Sequence, residues 1–293
     1  FGFLCRPLTD ETNGAGFIRE AEDAGSGAAM TNDEPLLSVT SAHLNTGLRG
    51  IPVGTCRTSF VTPTEGVHYC GYPIAELAAM DVEDVIYLLF HKELPNAEQS
   101  AAFRADLAAR GAVPEEVASV YAALPREGHP MDWLSVGMHT LGMTDTSGDW
   151  LEDALNLVAR MPRVMGLLFR FREGRSEGIP EDDLSLGLVD RFIVTLDPEG
   201  VDRSVMREVL NAYLVLHLDH GGGNLSTFTG KATASGKATL YASMVSAMNS
   251  LSGPLHGRAN QSCLEFVLGI GTSDPAEVES FIRGELEAKR PVF

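Results

Sequence analysis

The sequence predicts an all-α protein with one short β-hairpin near its N-terminus. Apolar residues recur at helical spacing over most of the chain, connecting segments are short, and only residues 58–69 show two alternating stretches around a turn. Helices of this kind bury their apolar faces by packing against one another. With 293 residues and 44% hydrophobic content, the chain is long enough to form a sizeable core in this way.

The first 47 residues show only weak periodicity, and the predicted elements follow them. Residues 1–47 are rich in Gly, Thr and Asp and are interpreted as a poorly determined N-terminal arm. After the hairpin, helical segments begin at residues that can cap a helix, such as Asp81 and Asn96, and Pro162 can kink the longest of them. The predicted helical ranges are 73–79, 82–91, 96–110, 114–123, 131–141, 149–172, 183–196, 204–216, 238–251, 257–268 and 275–288.

Charge and cysteine usage exclude several classes of protein. A net charge of −18 argues against binding to nucleic acid or to an anionic membrane surface. The apolar runs are too short for a membrane span, which needs about 20 residues. Cys5, Cys56, Cys70 and Cys263 form no CxxC pair, so no zinc site is indicated, although Cys56 and Cys70 flank the hairpin and could face each other. We expect free thiols in a reducing cytoplasm.

Two histidines follow the predicted helix at 204–216. His217 and His220 stand three residues apart and would share a face if the helix continued through them. The glycines at 221–223 must end the helix, and they let a ligand approach main-chain N–H groups. Asn224 and Ser226 then supply an amide and a hydroxyl. A helix C-terminus explains the same pattern equally well. A metal site is not predicted, because no further ligand stands at local spacing.

His256 follows Gly253 and Pro254, which stop the predicted helix at 238–251. A helix beginning at Gly257 would place His256 at its N-terminus, where the positive dipole end disfavours an imidazolium. A neutral imidazole there can donate an N–H to a developing oxyanion. Taken alone, such a histidine is more often a capping or packing residue. The small residues of 238–251 indicate a buried helix or one at a subunit interface.

Together these segments resemble the two signature segments of the citrate synthase family, at the separation found in that family. The likeness extends upstream through 47–79, 83–95, 129–132 and 159–162, so it covers the chain from residue 47 to its end. It implies a large helical domain at 48–253 and the start of a small CoA-binding domain at 254–293. The residues that carry it are His217-Leu-Asp-His220-Gly-Gly-Gly-Asn224-Leu-Ser226-Thr and Gly253-Pro-Leu-His256-Gly-Arg-Ala-Asn260-Gln.

The resemblance implies condensation of acetyl-CoA with oxaloacetate and hydrolysis of citryl-CoA to citrate and CoA. His220 would donate to the oxaloacetate carbonyl, and His256 to the thioester oxygen as acetyl-CoA enolises. No tightly bound cofactor and no metal are implied. The protein would be a homodimer, with 150–172 and 238–251 as candidate interface segments. The remaining implied site residues are His217, Asn224, Ser226 and Arg258 for substrate binding, and Leu255 and Gly257 for binding the CoA cosubstrate.

The sequence also departs from the family pattern. Family members continue past a segment like 289–293 into a Gly-x-Gly-His loop, a proton-abstracting aspartate and carboxylate-binding arginines. We therefore expect this sequence to carry half an active site and to have little or no synthase activity alone. Two alternatives stay open: a 2-methylcitrate synthase, which uses propionyl-CoA with the same signature, and a catalytically inactive helical protein that assembles with a partner.

Overall fold

The computed structural model describes residues 35, 37–45, 51, 54–62, 64–221, 223–254, 256, 257, 259–290 and 292. These residues form twelve α-helices, one short 3-10 helix and one three-stranded antiparallel sheet, which confirms the predicted class. The chain divides into two compact units, residues 1–95 with 212–224 and residues 96–211 with 225–293. The predicted domain boundary after residue 253 stays a prediction. Within the described residues, no helix is both long enough and apolar enough to cross a bilayer.

The first unit contains the sheet, whose strands are β1 (Ser59–Thr62), β2 (Gly66–Tyr69) and β3 (Tyr72–Pro73). The predicted hairpin is confirmed, with Ser59 opposite Tyr69. The third strand was not predicted, because a two-residue strand leaves no alternation to recognise. Of the predicted arm at 1–47, residues 35 and 37–45 are described, and Ser41–Asn45 form the 3-10 helix. The rest of the arm lies outside the described residues.

Two helices complete the N-terminal part of this unit, α1 (Ile74–Leu77) and α2 (Val82–His91). The helix predicted at 73–79 is shorter because its first residue pairs in β3. The boundaries of α2 agree with the prediction, although the Asp81 side chain makes no capping hydrogen bond. The helix ends at Lys92, which adopts a left-handed conformation with φ of 69°. The apolar face of α2 is almost completely buried, at Val82, Val85, Leu88 and Leu89.

The described residues of the second unit form helices and their connecting loops, with no β-strand. Asn96 and Gln99 form a capping box at the start of α3, and Asp149 caps α6 through two backbone N–H groups. One continuous helix of 23 residues runs through Pro162. The helices are α3 (Ala97–Arg110), α4 (Glu115–Ala123), α5 (Pro130–Thr144), α6 (Trp150–Arg172), α7 (Leu188–Leu196), α8 (Arg203–His217), α9 (Leu225–Ser235), α10 (Leu240–Leu251), α11 (Ala259–Ile270) and α12 (Pro275–Glu287). Residues 212–217 of α8 belong to the first unit.

Three helix predictions were wrong in extent or missing. The helix predicted at 183–196 begins only at Leu188, since Asp183 accepts hydrogen bonds from the Ser185 N–H and hydroxyl in a turn. The helix predicted from Gly257 begins at Ala259. Helix α9 was missed because its threonines and Gly230 have low helix propensity. Packing against α10 explains why it forms nevertheless.

The core of the second unit lies where α4, α5, α6 and α10 meet. Its largest fully buried side chains are Tyr121, Trp133 and Tyr241. Helix α10 approaches α5 closely, since a Cβ on Gly142 would fall 2.6 Å from Cβ of Tyr241. The buried face of α10 therefore serves packing within the chain. This packing fixes α10 and α9, the two helices that hold the site described next.

Candidate functional site

His217 is the last residue of α8, and its ring turns back along that helix. The imidazole stacks on Tyr213 with ring centroids 4.1 Å apart, and its Nδ1 lies 2.6 Å from the Tyr213 carbonyl oxygen. Because a carbonyl oxygen only accepts, Nδ1 is the donor. Since α8 ends at His217, the helix does not continue through His220, and the two histidines do not share a helix face.

The loop that follows α8 depends on glycine. Gly221 has a φ of 74°, in the left-handed region that disfavours other residues. The Asn224 amide nitrogen donates to the Gly221 carbonyl oxygen at 3.4 Å, which closes the loop on itself. The first unit ends at Asn224 and the second resumes at Leu225, so the chain passes from one unit to the other here.

Asp219 lies between the two histidines in sequence, and its side chain is buried within the first unit. It is only 6% exposed; one carboxylate oxygen accepts from the Thr58 hydroxyl, and the other accepts from the His220 N–H at 2.7 Å. A carboxylate occupied in this way is not presented to a metal ion. In the part of the chain that the structure describes, no three His, Cys, Asp or Glu side chains are grouped so as to hold one.

His220 exposes its imidazole while its neighbours are held by the hairpin. The Tyr69 hydroxyl accepts from the Asp219 N–H at 3.2 Å and donates to the Val215 carbonyl at 3.0 Å. Burial raises the pKa of Tyr69, and the hydrogen bond from Asp219 offsets part of that rise. The Ser59 hydroxyl accepts from the Gly221 N–H at 2.6 Å.

Sequence reasoning missed the residues that support His220, namely Thr58, Ser59, Tyr69 and Asp219. The hairpin itself was predicted, but adjacent hydroxyl residues at a strand start are equally typical of an exposed strand. Thr58 and Asp219 lie 161 positions apart, so no local spacing connects them.

In the second unit the structure brings Ser226 and His256 together. Ser226 lies in the first turn of α9, where backbone N–H groups have no partner within the helix. Its N–H donates to Nε2 of His256 at 3.2 Å, and its hydroxyl lies 3.0 Å from the same nitrogen. His256 therefore lies at the N-terminal end of α9.

This contact fixes the tautomer of His256. A backbone N–H can only donate, so Nε2 must offer a lone pair, and the Ser226 hydroxyl donates to it as well. The ring proton of the neutral imidazole then sits on Nδ1, which becomes the donor available to a ligand. The helix whose N-terminus lies at His256 is α9 and not the predicted one, because α11 begins only at Ala259.

The loop that carries His256 is tightly folded around Gly257. The Gly257 N–H donates to the Leu251 carbonyl oxygen at 2.8 Å, and the His256 N–H donates to the Gly253 carbonyl at 3.0 Å. A Cβ on Gly257 would collide with that Leu251 oxygen. Gly257 therefore has a packing role, and its contact with CoA stays a prediction. Leu255 and Arg258 lie outside the described residues.

Helix α10 supports both sides of the Ser226–His256 contact. It packs against α9, where Thr227 and Gly230 are buried, and against α5. The Ser135 hydroxyl of α5 donates to the Asn249 side-chain oxygen at 2.6 Å, close to the end of α10 that leads to His256. The histidine at the start of α5, His129, accepts from the Met131 N–H and is structural, as predicted.

Most of the chain matches one known protein family. The family model described as citrate synthase, C-terminal domain, matches residues 47–293. The chain belongs to the citrate synthase family. The resemblance seen in the two histidine segments is thereby confirmed, and so is its extent from residue 47.

Relatives from several kingdoms agree with this assignment. Citrate synthase 2 of Bacillus subtilis is 31% identical over 255 residues, covering 84% of this chain and 67% of that protein. Citrate synthase of Haloferax volcanii is 35% identical over 246 residues, covering 80% and 64%. Mitochondrial citrate synthase 4 of Arabidopsis thaliana is 33% identical over 248 residues, covering 76% and 52%. The chain thus spans between about half and two thirds of these citrate synthases.

Solved structures of the family share the fold. Citrate synthase from Thermotoga maritima superposes with a TM-score of 0.72 at 24% identity, covering 84% of this chain and 66% of that one. A ternary complex of citrate synthase from Thermoplasma acidophilum with carboxymethyl coenzyme A and oxaloacetate gives 0.71 at 19% identity, covering 83% and 64%.

Proposed function

We propose that this protein is a citrate synthase, which condenses acetyl-CoA with oxaloacetate and releases citrate and CoA. The contact between Ser226 and His256 carries the proposal. Enolisation of a thioester develops negative charge on its oxygen, and a neutral imidazole with its proton on Nδ1 can donate to that oxygen without first losing a charge. The Ser226 N–H makes Nε2 of His256 the acceptor, which leaves Nδ1 as the ring donor.

His220 is proposed to donate to the keto oxygen of oxaloacetate. Its imidazole is exposed while its backbone is held, which suits a group that must meet a ligand in one orientation. Polarising the keto group makes its carbon more electrophilic towards the enol. The proposed substrates agree with those in the Thermoplasma acidophilum complex, which holds oxaloacetate and a CoA analogue.

The remaining substrate contacts follow the family motif. Asn224 and Ser226 are proposed to orient the histidines or the substrate, His217 to support them, and Arg258 to bind substrate. Leu255 and Gly257 are proposed to contact acetyl-CoA, which acts as a cosubstrate, with no tightly bound cofactor. Residues 48–253 are proposed to form part of the large domain, and residues 254–293 to begin the CoA-binding domain.

The test uses the protein expressed from its complete gene, because the present chain spans 52–67% of the relatives described. CoA release is followed through its free thiol. We expect release to require both substrates, to be lost in His256→Ala, and to persist in His139→Ala, which removes an exposed histidine from α5. Release that persists in His256→Ala would contradict the proposal. Turnover that prefers propionyl-CoA would indicate 2-methylcitrate synthase instead.

The protein is also proposed to be a homodimer located in the cytoplasm. The predicted interface helices α6 and α10 place most apolar side chains in the core of the second unit. Helix α8 instead exposes apolar side chains at positions 205, 209, 213 and 216, the spacing of one helix face. This face supports a subunit contact. Light scattering should show a dimer that Val209→Asp dissociates; a monomeric wild-type protein would refute it.

Cell fractionation tests the proposed cytoplasmic location, since some relatives are named mitochondrial or peroxisomal.

A further inference from the structure

Two hydroxyl residues at the start of β1 hold the backbone on either side of His220. The Thr58 hydroxyl donates to Asp219, and the Ser59 hydroxyl accepts from the Gly221 N–H at 2.6 Å. We propose that Thr58, acting through Asp219, is a positioning residue that holds the backbone from which the His220 ring projects. The inference rests on the proposed function, in which His220 contacts oxaloacetate.

The coupling between Thr58 and His220 passes through one buried carboxylate. Oδ1 of Asp219 accepts from the His220 N–H at 2.7 Å, and Oδ2 accepts from Thr58. A buried carboxylate needs donors at both oxygens, and hydrogen bonds to a charged acceptor are short and strong. Without the Thr58 hydroxyl, Oδ2 loses its donor, and the carboxylate rotates or draws in water. The His220 peptide must then move with Oδ1.

The rest of the loop is anchored to the second strand of the hairpin. The fully buried Tyr69 bridges the Asp219 N–H and the Val215 carbonyl. Because Tyr69 pairs with Ser59 across the sheet, both anchors belong to one antiparallel ladder. A side chain held by strand residues is placed more precisely than one held by a loop alone. The hairpin therefore acts as a rigid frame, and the ring of His220 is the part left exposed.

A purely structural role for Thr58 makes a different prediction. If the Thr58–Asp219 bond only stabilised the first unit, its loss would lower the melting temperature and leave the kinetic constants of the folded protein unchanged. A positioning role instead weakens the contact that His220 makes with oxaloacetate. The Michaelis constant for oxaloacetate and the turnover number should then change, whereas the Michaelis constant for acetyl-CoA should not.

Three variants distinguish the structural role of Thr58 from the positioning role, in the protein expressed from its complete gene. Thr58→Val removes the hydroxyl and keeps the shape, and Thr58→Ser keeps the hydroxyl. Thr62→Val is the matched control at the end of β1, where the Thr62 hydroxyl accepts from the turn N–H of Glu65. We expect Thr58→Val to lower kcat/KM for oxaloacetate by about 10- to 100-fold, the loss typical of a misplaced catalytic group. Thr58→Ser should restore most of it, and Thr62→Val should resemble wild type.

A second measurement does not depend on activity. The backbone amide ¹H–¹⁵N signal of His220, which donates to Asp219, should shift in Thr58→Val and stay in place in Thr62→Val. An unchanged His220 amide signal in folded Thr58→Val would overturn the positioning role. If the amide signal shifts but wild-type protein releases no CoA from acetyl-CoA and oxaloacetate, the proposed function fails while the positioning of His220 by Thr58 stands.

Discussion

Nε2 of His256 accepts the backbone N–H of Ser226 at 3.2 Å, so a main-chain donor fixes the tautomer of this histidine. A main-chain N–H is present whatever side chain stands at position 226. Ser226→Ala should therefore preserve the tautomer and lose only the hydroxyl contact. The ring donor that remains is Nδ1–H in both proteins.

We expect ¹⁵N spectra in alkaline solution, where imidazoles are neutral, to report the Nδ1–H tautomer for His256 in wild type and in Ser226→Ala. His129 is the internal control, because its Nδ1 accepts from the Met131 N–H and its proton must sit on Nε2. An Nε2–H signature for His256 would show that the Ser226 contact is absent in solution.

The two thiols beside the hairpin should differ in reactivity. Partial burial raises the pKa of Cys56, but hydrogen bonds from the backbone N–H groups of Thr58 and Ser59 and from the Ser59 hydroxyl oppose this, and the pKa lies below its usual value. Burial raises the pKa of Cys70, and nearby Lys92 offsets only part of this. A lower pKa means that the thiolate forms at lower pH, and the thiolate is the reactive species.

Iodoacetamide should therefore alkylate Cys56 faster than Cys70 near neutral pH, with its rate profile displaced to lower pH. Peptide mass spectrometry resolves the two sites, and the same reaction in denaturant is the control, where the two rates should converge. Faster labelling of Cys70 in the folded protein would contradict the hydrogen-bond geometry around Cys56.

The sequence singled out candidate site residues, but it did not show which contacts position them. His256 and Ser226 were both named from their motif, but their contact requires α9. This helix was not predicted, because its threonines and Gly230 have low helix propensity. Its stability comes from packing against α10, which no local pattern reports. The long periodic helices, such as α2 and α6, were predicted because their apolar faces are determined locally.

The support of His220 shows a second limit of sequence reasoning. Asp219 stands between two histidines, and the sequence pattern gives no partner for its carboxylate. In the structure it accepts a hydrogen bond from Thr58, which precedes β1 and lies 161 positions away, and only the folded first unit brings the two together. Short polar residues gain a role from tertiary contacts, so their spacing in sequence carries little information about it.

Gly137 should tolerate no side chain, since α5 runs directly under the ring of Tyr121. A Cβ there would collide with the Tyr121 hydroxyl and lie 2.9 Å from its Cζ. We expect Gly137→Ala to lower the free energy of unfolding by about 1–3 kcal/mol, the usual cost of overpacking a core. Urea denaturation measures this. Gly284→Ala in α12 is the control, because nothing lies within 4 Å of the added methyl and a helix favours alanine. Equal stability of the two variants would refute the close contact.

Gly257 and Gly253 provide a matched pair within the loop that carries His256. A Cβ on Gly257 would collide with the Leu251 carbonyl oxygen that its own N–H binds, so the chain must move away from α10 and carry His256 off Ser226. A Cβ on Gly253 meets only the Ser250 carbonyl at 3.4 Å, an ordinary contact. In the protein expressed from its complete gene, Gly257→Ala should lower kcat by about 10- to 100-fold, because small displacements of a catalytic group have effects of this size. Gly253→Ala should stay close to wild type. Nearly wild-type turnover in Gly257→Ala would mean that the placement of His256 against Ser226 does not control the reaction.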